Sequence, residues 1–352
     1  MAAHFFFSKI YLAHLLSSKV ERRYEVLLCA FYDADPCGVG IHSYRNNSYL
    51  RPARHSNRYL IRMQLLDGKY LSELIKSEIA AEVTDLTEQG HRPPHLAAVL
   101  IGESPASQFY VKSKVRSCKQ VGFESTLVQR PADITQAELL AIVDDLNHDD
   151  SIDGFIVQLP LPDHIDEMAV TLSIDPAKDV DGFHPVNFGK MAQGGDAFLP
   201  ATPMGILTMF DRYGIETSGK HCVVIGRSTI VGSPMSILLA RKAKVGNCTV
   251  TLTHSRTRNL PELCRQADII VAAIGRANYV TADMVKEGAV IVDVGINRVE
   301  DATAKRGYRV VGDVDFEAVA PKSSYITPVP GGVGLMTVTS LLQNTMKAYK
   351  MR

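Results

Sequence analysis

From residue 63 onward the apolar positions fall into two alternating periods. Leu71, Leu74, Ile75, Ile79 and Val83 recur at helical spacing, which predicts an amphipathic helix packed on a core. Residues 95–102 form a short apolar run closed by Gly102, the pattern of a buried strand that ends in a turn. A helix starting at Ser104-Pro105 and running through Ser107 and Lys114 follows. After it come a strand over 122–128, a helix over 136–146 and a strand over 154–162. Strand, helix, strand, helix, strand predicts a parallel sheet covered by helices.

The second half repeats the theme. Thr202 as N-cap and Pro203 at the first helical position open a helix that continues over 206–213. Residues 220–234 read as a buried strand, a glycine-bounded turn and a helix from about Pro234, and strands follow over 249–257, 267–275 and 288–295. Residues 310–314 read as a short final strand. A loop over 327–337, rich in proline and glycine, leads into a helix over 338–349. Residues 1–62 carry no sustained period and hold more Arg and Lys than Asp and Glu. Two accounts compete for them, a translation start that belongs at Met63, which we favour, and a targeting extension. A secretory signal fits poorly, because no compact apolar stretch ends in a small-residue cleavage site.

Composition narrows the function. A chain of 352 residues that is 46% apolar is long enough for two domains with a cleft between them. The 38 basic residues equal the 38 acidic ones, so charge argues for neither a nucleic-acid partner nor a membrane held electrostatically. No apolar run is long enough for a spanning helix. A small-molecule ligand is expected. The 6 cysteines show neither a Cys-x-x-Cys pair nor zinc-site spacing, which favours buried free thiols, a reducing compartment and no structural metal.

Candidate chemistry gathers at a few points. Ser107, Tyr110 and Lys114 lie at i, i+3 and i+7 and share one helix face. A partly desolvated Lys beside a Tyr hydroxyl can move protons or stabilise charge; a solvated helix face has the same spacing. Gln158 interrupts an apolar strand just before Pro160, at the strand end where open parallel sheets bind ligands. The alternative is an amide satisfied by neighbouring backbone. Asp179 and Asp181 occupy an acidic turn between the halves, where one of them could grip a substrate, although such residues often only cap turns.

The turn after the strand at 220–225 contains Gly226, Arg227, Ser228 and Gly232. It suits a diphosphate at a helix N-terminus, although Ser228 stands where the second glycine of Gly-x-Gly-x-x-Gly would be and Gly232 falls one residue late. The next strand ends in Ser255 and Arg256 with no acidic residue to hold a free ribose. With Arg227, these groups favour a 2′-phosphate and therefore NADP over NAD. Gly275 and Gly295 close two further strands where a flat ring could approach backbone.

Taken together, Ser107-x-x-Tyr110-x-x-x-Lys114, Gln158-Leu-Pro-Leu-Pro162, Lys178-Asp-Val-Asp-Gly182, Gly226-Arg-Ser-x-Ile-Val-Gly232 and Pro328-Val-Pro-Gly-Gly-Val-Gly334 make the chain closely resemble the bifunctional methylenetetrahydrofolate dehydrogenase/cyclohydrolase family. The resemblance implies an α/β protein of two domains, an N-terminal α/β folate-binding domain and an NADP-binding Rossmann domain with a cleft between them. Carried onto this chain, residues 63–198 completed by a C-terminal helix at 333–352 form the folate-binding catalytic domain. Residues 199–332 form the cofactor domain, and 1–62 stand outside the fold. A homodimer through the cofactor domains is implied, and a cytoplasmic location is expected, with organellar targeting by residues 1–62 as the alternative.

The same resemblance assigns roles. Lys114 is the central catalytic group, Tyr110 stacks on or bonds the folate, Gln158 orients Lys114, and Asp181 anchors the pterin. Ser107, Pro330, Gly331 and Gly332 join Tyr110 and Asp181 in binding substrate. Gly226, Arg227, Ser228, Ile230, Val231, Ser255, Arg256, Gly275, Gly295 and Ile296 hold NADP. The implied reactions are oxidation of 5,10-methylenetetrahydrofolate and hydrolysis of the methenyl product to 10-formyltetrahydrofolate. Ala201 stands where the family's Pro-Cys-Thr-Pro turn commonly has cysteine, so that thiol is not expected to take part. Two other readings use the same residues: an NADP-dependent dehydrogenase of a small amino or keto acid, and a non-catalytic NADP-binding scaffold.

Overall fold

The computed structural model describes residues 63–304 and 307–352; both accounts of residues 1–62, and Cys29 and Cys37, lie outside the described residues. Strand β1 (Gln64–Leu65) leads into helix α1 (Gly68–Glu88), whose N-cap Asp67 accepts the Tyr70 N–H at 2.9 Å. Leu71, Ile75, Ile79 and Val83 are buried, but Leu74, expected on the same stripe, is 38% exposed. The buried arc turns instead through Ser72 and Lys76, because Ser72 meets Thr339 of the C-terminal helix at 2.8 Å.

The first sheet is the predicted alternation: β2 (His95–Ile101), α2 (Pro105–Val121), β3 (Glu124–Arg130), α3 (Gln136–His148) and β4 (Gly154–Val157), with three parallel strands in the order β3-β2-β4. Gly122 ends α2 with φ +82°, and Thr135 and Glu138 form a capping box at the start of α3. Crossing over β2 between its neighbours leaves a crevice at the strands' carboxyl ends. Helices α4 (Glu167–Ser173), α5 (Pro185–Ala192) and α6 (Ala201–Arg212) lead to the second sheet. Thr202 is not the cap of α6. The helix starts at Ala201 behind Pro200, and the Thr202 hydroxyl meets Thr337 at 3.0 Å. Pro203 sits inside the first turn, where a missing N–H costs nothing.

The second sheet has six strands, all parallel. It contains β5 (His221–Ile225), β6 (Thr249–Thr253), β7 (Ile269–Ala272), β8 (Ala289–Asp293) and β11 (Ser323–Ile326), with β1 added at one edge, in the order β1-β11-β8-β7-β5-β6. Helices α7 (Gly232–Ala240), α8 (Leu260–Gln266) and α9 (Phe316–Val319) connect its strands. Helix α7 starts two residues before Pro234, again because proline is tolerated in a first turn. The expected last strand at 310–314 belongs elsewhere. Strand β10 (Tyr308–Val311) pairs antiparallel with β9 (Asn297–Glu300) as a separate ribbon. Its residues are exposed or half-buried, unlike the buried run of β7 or β8 that covered parallel strands require.

Helix α10 (Val333–Lys350) begins five residues before the pattern at 338–349 suggested. It packs along α6 and α1, and Gly205 permits the close crossing, since a Cβ there would lie 2.9 Å from Met336 Cβ. The described thiols Cys118, Cys222, Cys248 and Cys264 are buried and free. Among the described residues no helix is long and apolar enough to cross a membrane.

Buried Asn344 of α10 donates to Val180 O at 2.8 Å and Leu199 O at 3.0 Å, pinning the two ends of the segment between the sheets. Asn344→Ala strands both carbonyls, and an expected loss of about 2 kcal/mol is read from the midpoint of urea unfolding.

Candidate active site

Helix α2 follows β2 and so carries Lys114 over the carboxyl end of the first sheet, where Gln158 follows β4. The Gln158 N–H donates to Val99 O of β2 at 2.9 Å and its side-chain Nε2 donates to Leu159 O at 2.7 Å. Those two bonds turn Oε1 outward, and it accepts from Lys114 Nζ at 3.2 Å. Lys114 is buried. Desolvation lowers its pKa below the ordinary lysine range, while the Asp181 carboxylate, and to a lesser degree the Cys118 thiol, pull it back up. Tyr110 lies one turn earlier and half-buried; burial raises its hydroxyl pKa. Phe109 meets its ring edge-on at 6.2 Å. Ser107 is buried on the same helix.

The acidic turn divides its labour. Buried Lys178 donates to Leu146 O at 2.8 Å and Asp149 O at 2.7 Å. Asp179, also buried, accepts the His184 N–H at 2.8 Å, the Phe183 N–H at 3.2 Å and Asn187 Nδ2 at 2.9 Å. Burial pushes its carboxyl up to about 6 against the pull of those donors. Asp181 is half-buried and has no hydrogen-bond partner among the described residues. The fold therefore uses Asp179 and leaves Asp181 available. The loop with Pro330, Gly331 and Gly332 lies against the start of α1: Lys69 N–H donates to Gly331 O at 2.9 Å, and a Cβ at Gly68 would fall 2.1 Å from Gly332 O. A hollow of about 310 Å³ lined by Asp175, Lys190, Phe198 and Lys347 lies between α5 and the end of α10 and holds none of these groups.

At the second sheet, the turn from β5 to α7 brings backbone against backbone. Gly226 has φ +111°, and a Cβ on it would lie 2.2 Å from Ala273 O; one on Gly232 would lie 2.0 Å from Gly226 O. That close approach is what a diphosphate at a helix start requires, and it is reached without a second glycine. Ser228 replaces it, its Oγ accepting the Val231 N–H at 3.1 Å and the Gly232 N–H at 3.4 Å just ahead of α7. Arg227, Ser228 and Ile230 are exposed here, with Val231 half-buried beside them. Ser255 and Arg256 are exposed beyond β6, and no acidic residue lies between Thr253 and Arg258. The donor set thus fits a dinucleotide with a 2′-phosphate. Gly275, Gly295 and exposed Ile296 fall in the turns after β7 and β8.

Two buried carboxylates under those turns, Asp293 and Asp313, escape a reading based on motifs. The available signal is an acidic residue at the end of an apolar strand run, in Val-Ile-Val-Asp293 and again in Val-Val-Gly-Asp313.

Two family models match the chain: tetrahydrofolate dehydrogenase/cyclohydrolase, catalytic domain, over residues 66–181, and the NAD(P)-binding domain of the same name over residues 200–352. The bifunctional protein FolD of Cytophaga hutchinsonii is 60% identical over 290 residues, covering 82% of this chain and 100% of its own. The solved bifunctional enzyme FolD, methylenetetrahydrofolate dehydrogenase/cyclohydrolase, of Campylobacter jejuni is 49% identical with a TM-score of 0.78, over 83% of this chain and 100% of its own. The Trypanosoma brucei methylenetetrahydrofolate dehydrogenase-cyclohydrolase, solved with NADP cofactor and inhibitor, is 37% identical with a TM-score of 0.78, over 82% of this chain and 98% of its own.

The sign of the Asp181 effect on Lys114 is testable without substrate. Following the Lys114 side-chain NMR signal against pH, assigned by its loss in Lys114→Met, should place its titration below that of a free lysine. Asp181→Asn removes the charge that opposes desolvation, so the midpoint moves to still lower pH.

Proposed function

The chain belongs to the tetrahydrofolate dehydrogenase/cyclohydrolase family, and we propose that one site centred on Lys114 serves both of its reactions. The enzyme oxidises 5,10-methylenetetrahydrofolate to 5,10-methenyltetrahydrofolate with NADP⁺ and hydrolyses the methenyl product to 10-formyltetrahydrofolate. The observation that carries the single-site reading is the desolvated Lys114 nitrogen held by Gln158 at 3.2 Å with the Asp181 charge acting on it.

Bound NADP⁺ supplies the acceptor for the hydride that leaves the methylene carbon. For that step the chain has little proton chemistry to do; positioning dominates. Gly226, Arg227, Ser228, Ile230 and Val231 at the β5–α7 turn would hold the cofactor, Ser255 and Arg256 would bind its 2′-phosphate, and Gly275, Gly295 and Ile296 would complete its site. Ser107, Tyr110 and Asp181 hold the folate with the loop of Pro330, Gly331 and Gly332.

Hydrolysis asks more of the side chains. Water attacks the methenyl carbon and loses one proton. The tetrahedral carbon then forms its C=O bond as the bond to N5 breaks, the hydroxyl proton leaves oxygen and N5 gains one, so that one proton is released overall. Lys114 in its neutral form can take the proton of the attacking water, and in its protonated form it can donate to N5. Desolvation lowers the pKa of Lys114 and so favours the neutral form that can accept a proton, while the Asp181 charge opposes it, and Gln158 holds the nitrogen in place. Tyr110 stacks on or bonds the folate beside it.

The domain limits belong to the same proposal. Residues 63–198, completed by the helix at 333–352, form the folate domain and residues 199–332 the NADP domain; the packing of α10 on α1, α2 and β2 supports this division, while β1 crosses it as the edge strand of the second sheet and α6 crosses it by packing on α10. Homodimerisation through the cofactor domains is supported by the free edge of β6, where Leu252 is 37% exposed. A cytoplasmic location accords with the enzyme's water-borne substrates.

The deciding experiment follows NADPH and methenyltetrahydrofolate spectroscopically with the parent and with Lys114→Met. The parent should form NADPH with little methenyl accumulation, and the variant should lose hydrolysis of added methenyltetrahydrofolate by about 10²-fold or more. A variant that hydrolyses as fast as the parent sinks the single-site reading. Separately, Arg227→Ala with Ser255→Ala should raise the KM for NADP⁺ by about 10- to 100-fold, from lost bonds to a charged group, and leave that for NAD⁺ much less changed.

A further inference from the structure

Asp313 is a fully buried carboxylate with no cationic partner among the described residues. Its four bonds come from N–H groups of two separate segments. Oδ2 accepts the Ile274 N–H at 2.7 Å and the Gly275 N–H at 3.0 Å. Oδ1 accepts the Arg276 N–H at 2.8 Å and Asn297 Nδ2 at 2.9 Å. The first three belong to the turn after β7; the fourth belongs to the start of β9, after the turn that follows β8. Asp293 holds Asp313 in place from below, with Oδ1 accepting the Asp313 N–H at 2.8 Å and the Gly295 N–H at 2.9 Å, and Oδ2 accepting the Val314 N–H at 2.9 Å. Space is exhausted around both groups: a Cβ on Gly295 would lie 2.3 Å from Asp313 Oδ1, and one on Gly312 would lie 1.7 Å from Asp293 Oδ2.

The placement of these turns gives the arrangement its meaning. Strand β6, with Ser255 and Arg256 at its end, lies on one side of β5, and β7 and β8 lie on the other. A dinucleotide laid across the switch at β5, with its 2′-phosphate toward β6, sets its nicotinamide half over the turns after β7 and β8. The second of these turns also approaches the first turn of α10, directly after the substrate loop, because a Cβ on Gly334 would lie 3.5 Å from Ile296 Cδ1.

We propose that Asp313 is a positioning residue for the nicotinamide half of NADP, locking the β7 and β8 turns into one surface through its four N–H bonds. The proposal rests on the NADP-dependent reading of the site. Asp313 touches no substrate in this scheme and acts through the backbone of residues 274–276 and through Asn297. Asp313→Asn keeps the shape but replaces one acceptor oxygen by an NH₂ group that faces donors whichever way it is turned, so at least one turn is released.

The two activities provide the control, since hydrolysis of methenyltetrahydrofolate needs no hydride acceptor. In the full chain, Asp313→Asn should raise the KM for NADP⁺ by about ten-fold. Dehydrogenase kcat at saturating NADP⁺ and the hydrolysis rate measured without NADP⁺ should stay within about two-fold of the parent, a split that a general loss of structure does not produce. An unchanged KM for NADP⁺, or both activities falling in proportion, overturns the proposal. If melting shows that Asp313→Asn does not fold, Asn297→Ala decides. It removes one half-buried donor, and a KM for NADP⁺ raised by about three-fold with unchanged hydrolysis supports the proposal; no change overturns it. A parent that reduces no NADP⁺ with the folate overturns the functional reading itself, and a parent that does so beside an unaffected variant overturns this inference alone.

Discussion

A lysine nitrogen withdrawn from water must be held by something else, and the first sheet is arranged around that need. Lys114 is buried on α2 and reaches Gln158 Oε1. Gln158 in turn is fixed twice, through its N–H to Val99 and its Nε2 to Leu159. Neither bond supplies charge. The compensating charge comes from Asp181, whose carboxylate raises a pKa that burial lowers. Desolvation alone favours a neutral amine and the Asp181 carboxylate alone favours an ammonium, and in the proposed reaction that opposition is what one nitrogen would need to accept and to donate a proton. Freedom at Asp181 is obtained by committing its neighbours: Lys178 and Asp179 hold the turn, and Asn344 of the C-terminal helix holds Val180 O.

The second sheet meets a different constraint, which is backbone proximity. Side chains are excluded at Gly226, Gly232 and Gly295 because carbonyl or carboxylate oxygens already fill the space a Cβ would need. Where side chains do enter, as with Ser228, Asp293 and Asp313, they accept from backbone N–H groups. An oxygen acceptor in place of a side-chain body keeps a turn both close and rigid. The halves are joined at the substrate loop. Thr327 accepts the Asp293 N–H at 2.7 Å, and Gly331 O accepts from Lys69 at the head of α1. The loop is therefore braced from the cofactor sheet and from the first helix together.

What could be read from the sequence divides along the range of the interactions. The alternation of the first sheet, the helix carrying Lys114 and the glycine turn after β5 are written in local periods and turn residues, and the structure has them. Leu74 was misread because a stripe of apolar residues does not say which side of it faces the core; the Ser72 to Thr339 bond does, across most of the chain. Thr202-Pro203 carries a helix-start signature, yet Pro200 caps the helix two residues earlier than a threonine cap would. The residues at 310–314 look like another sheet strand because β9, their antiparallel partner, has no apolar run to announce it. Strand β1 is only two residues long and pairs with β11 far along the chain, so no window contains the reason for it. The roles assigned to Tyr110, Gln158 and Asp181 came from family resemblance. The choice of Asp181 over Asp179 has a physical ground that appears only when the donors to Asp179 can be counted.

The same division explains why Asp313 leaves so slight a mark in the sequence, an acidic residue at the end of an apolar run. Its partners at 274–276 and 297 are backbone groups and one amide, none of which carries a motif, and its function in the fold is to accept four donors at once. A buried carboxyl with no cation beside it among the described residues is satisfied there because those donors are aimed at it, and Asp293 fixes the Asp313 backbone. Each carboxylate therefore depends on the other's geometry, and neither could have been inferred singly. In the first sheet a buried amine is set against an opposite charge; in the second, buried carboxyl groups are met by fixed N–H dipoles. In the proposed scheme, reactive chemistry draws on the first arrangement and placement of the cofactor on the second, and the chain keeps them on separate sheets.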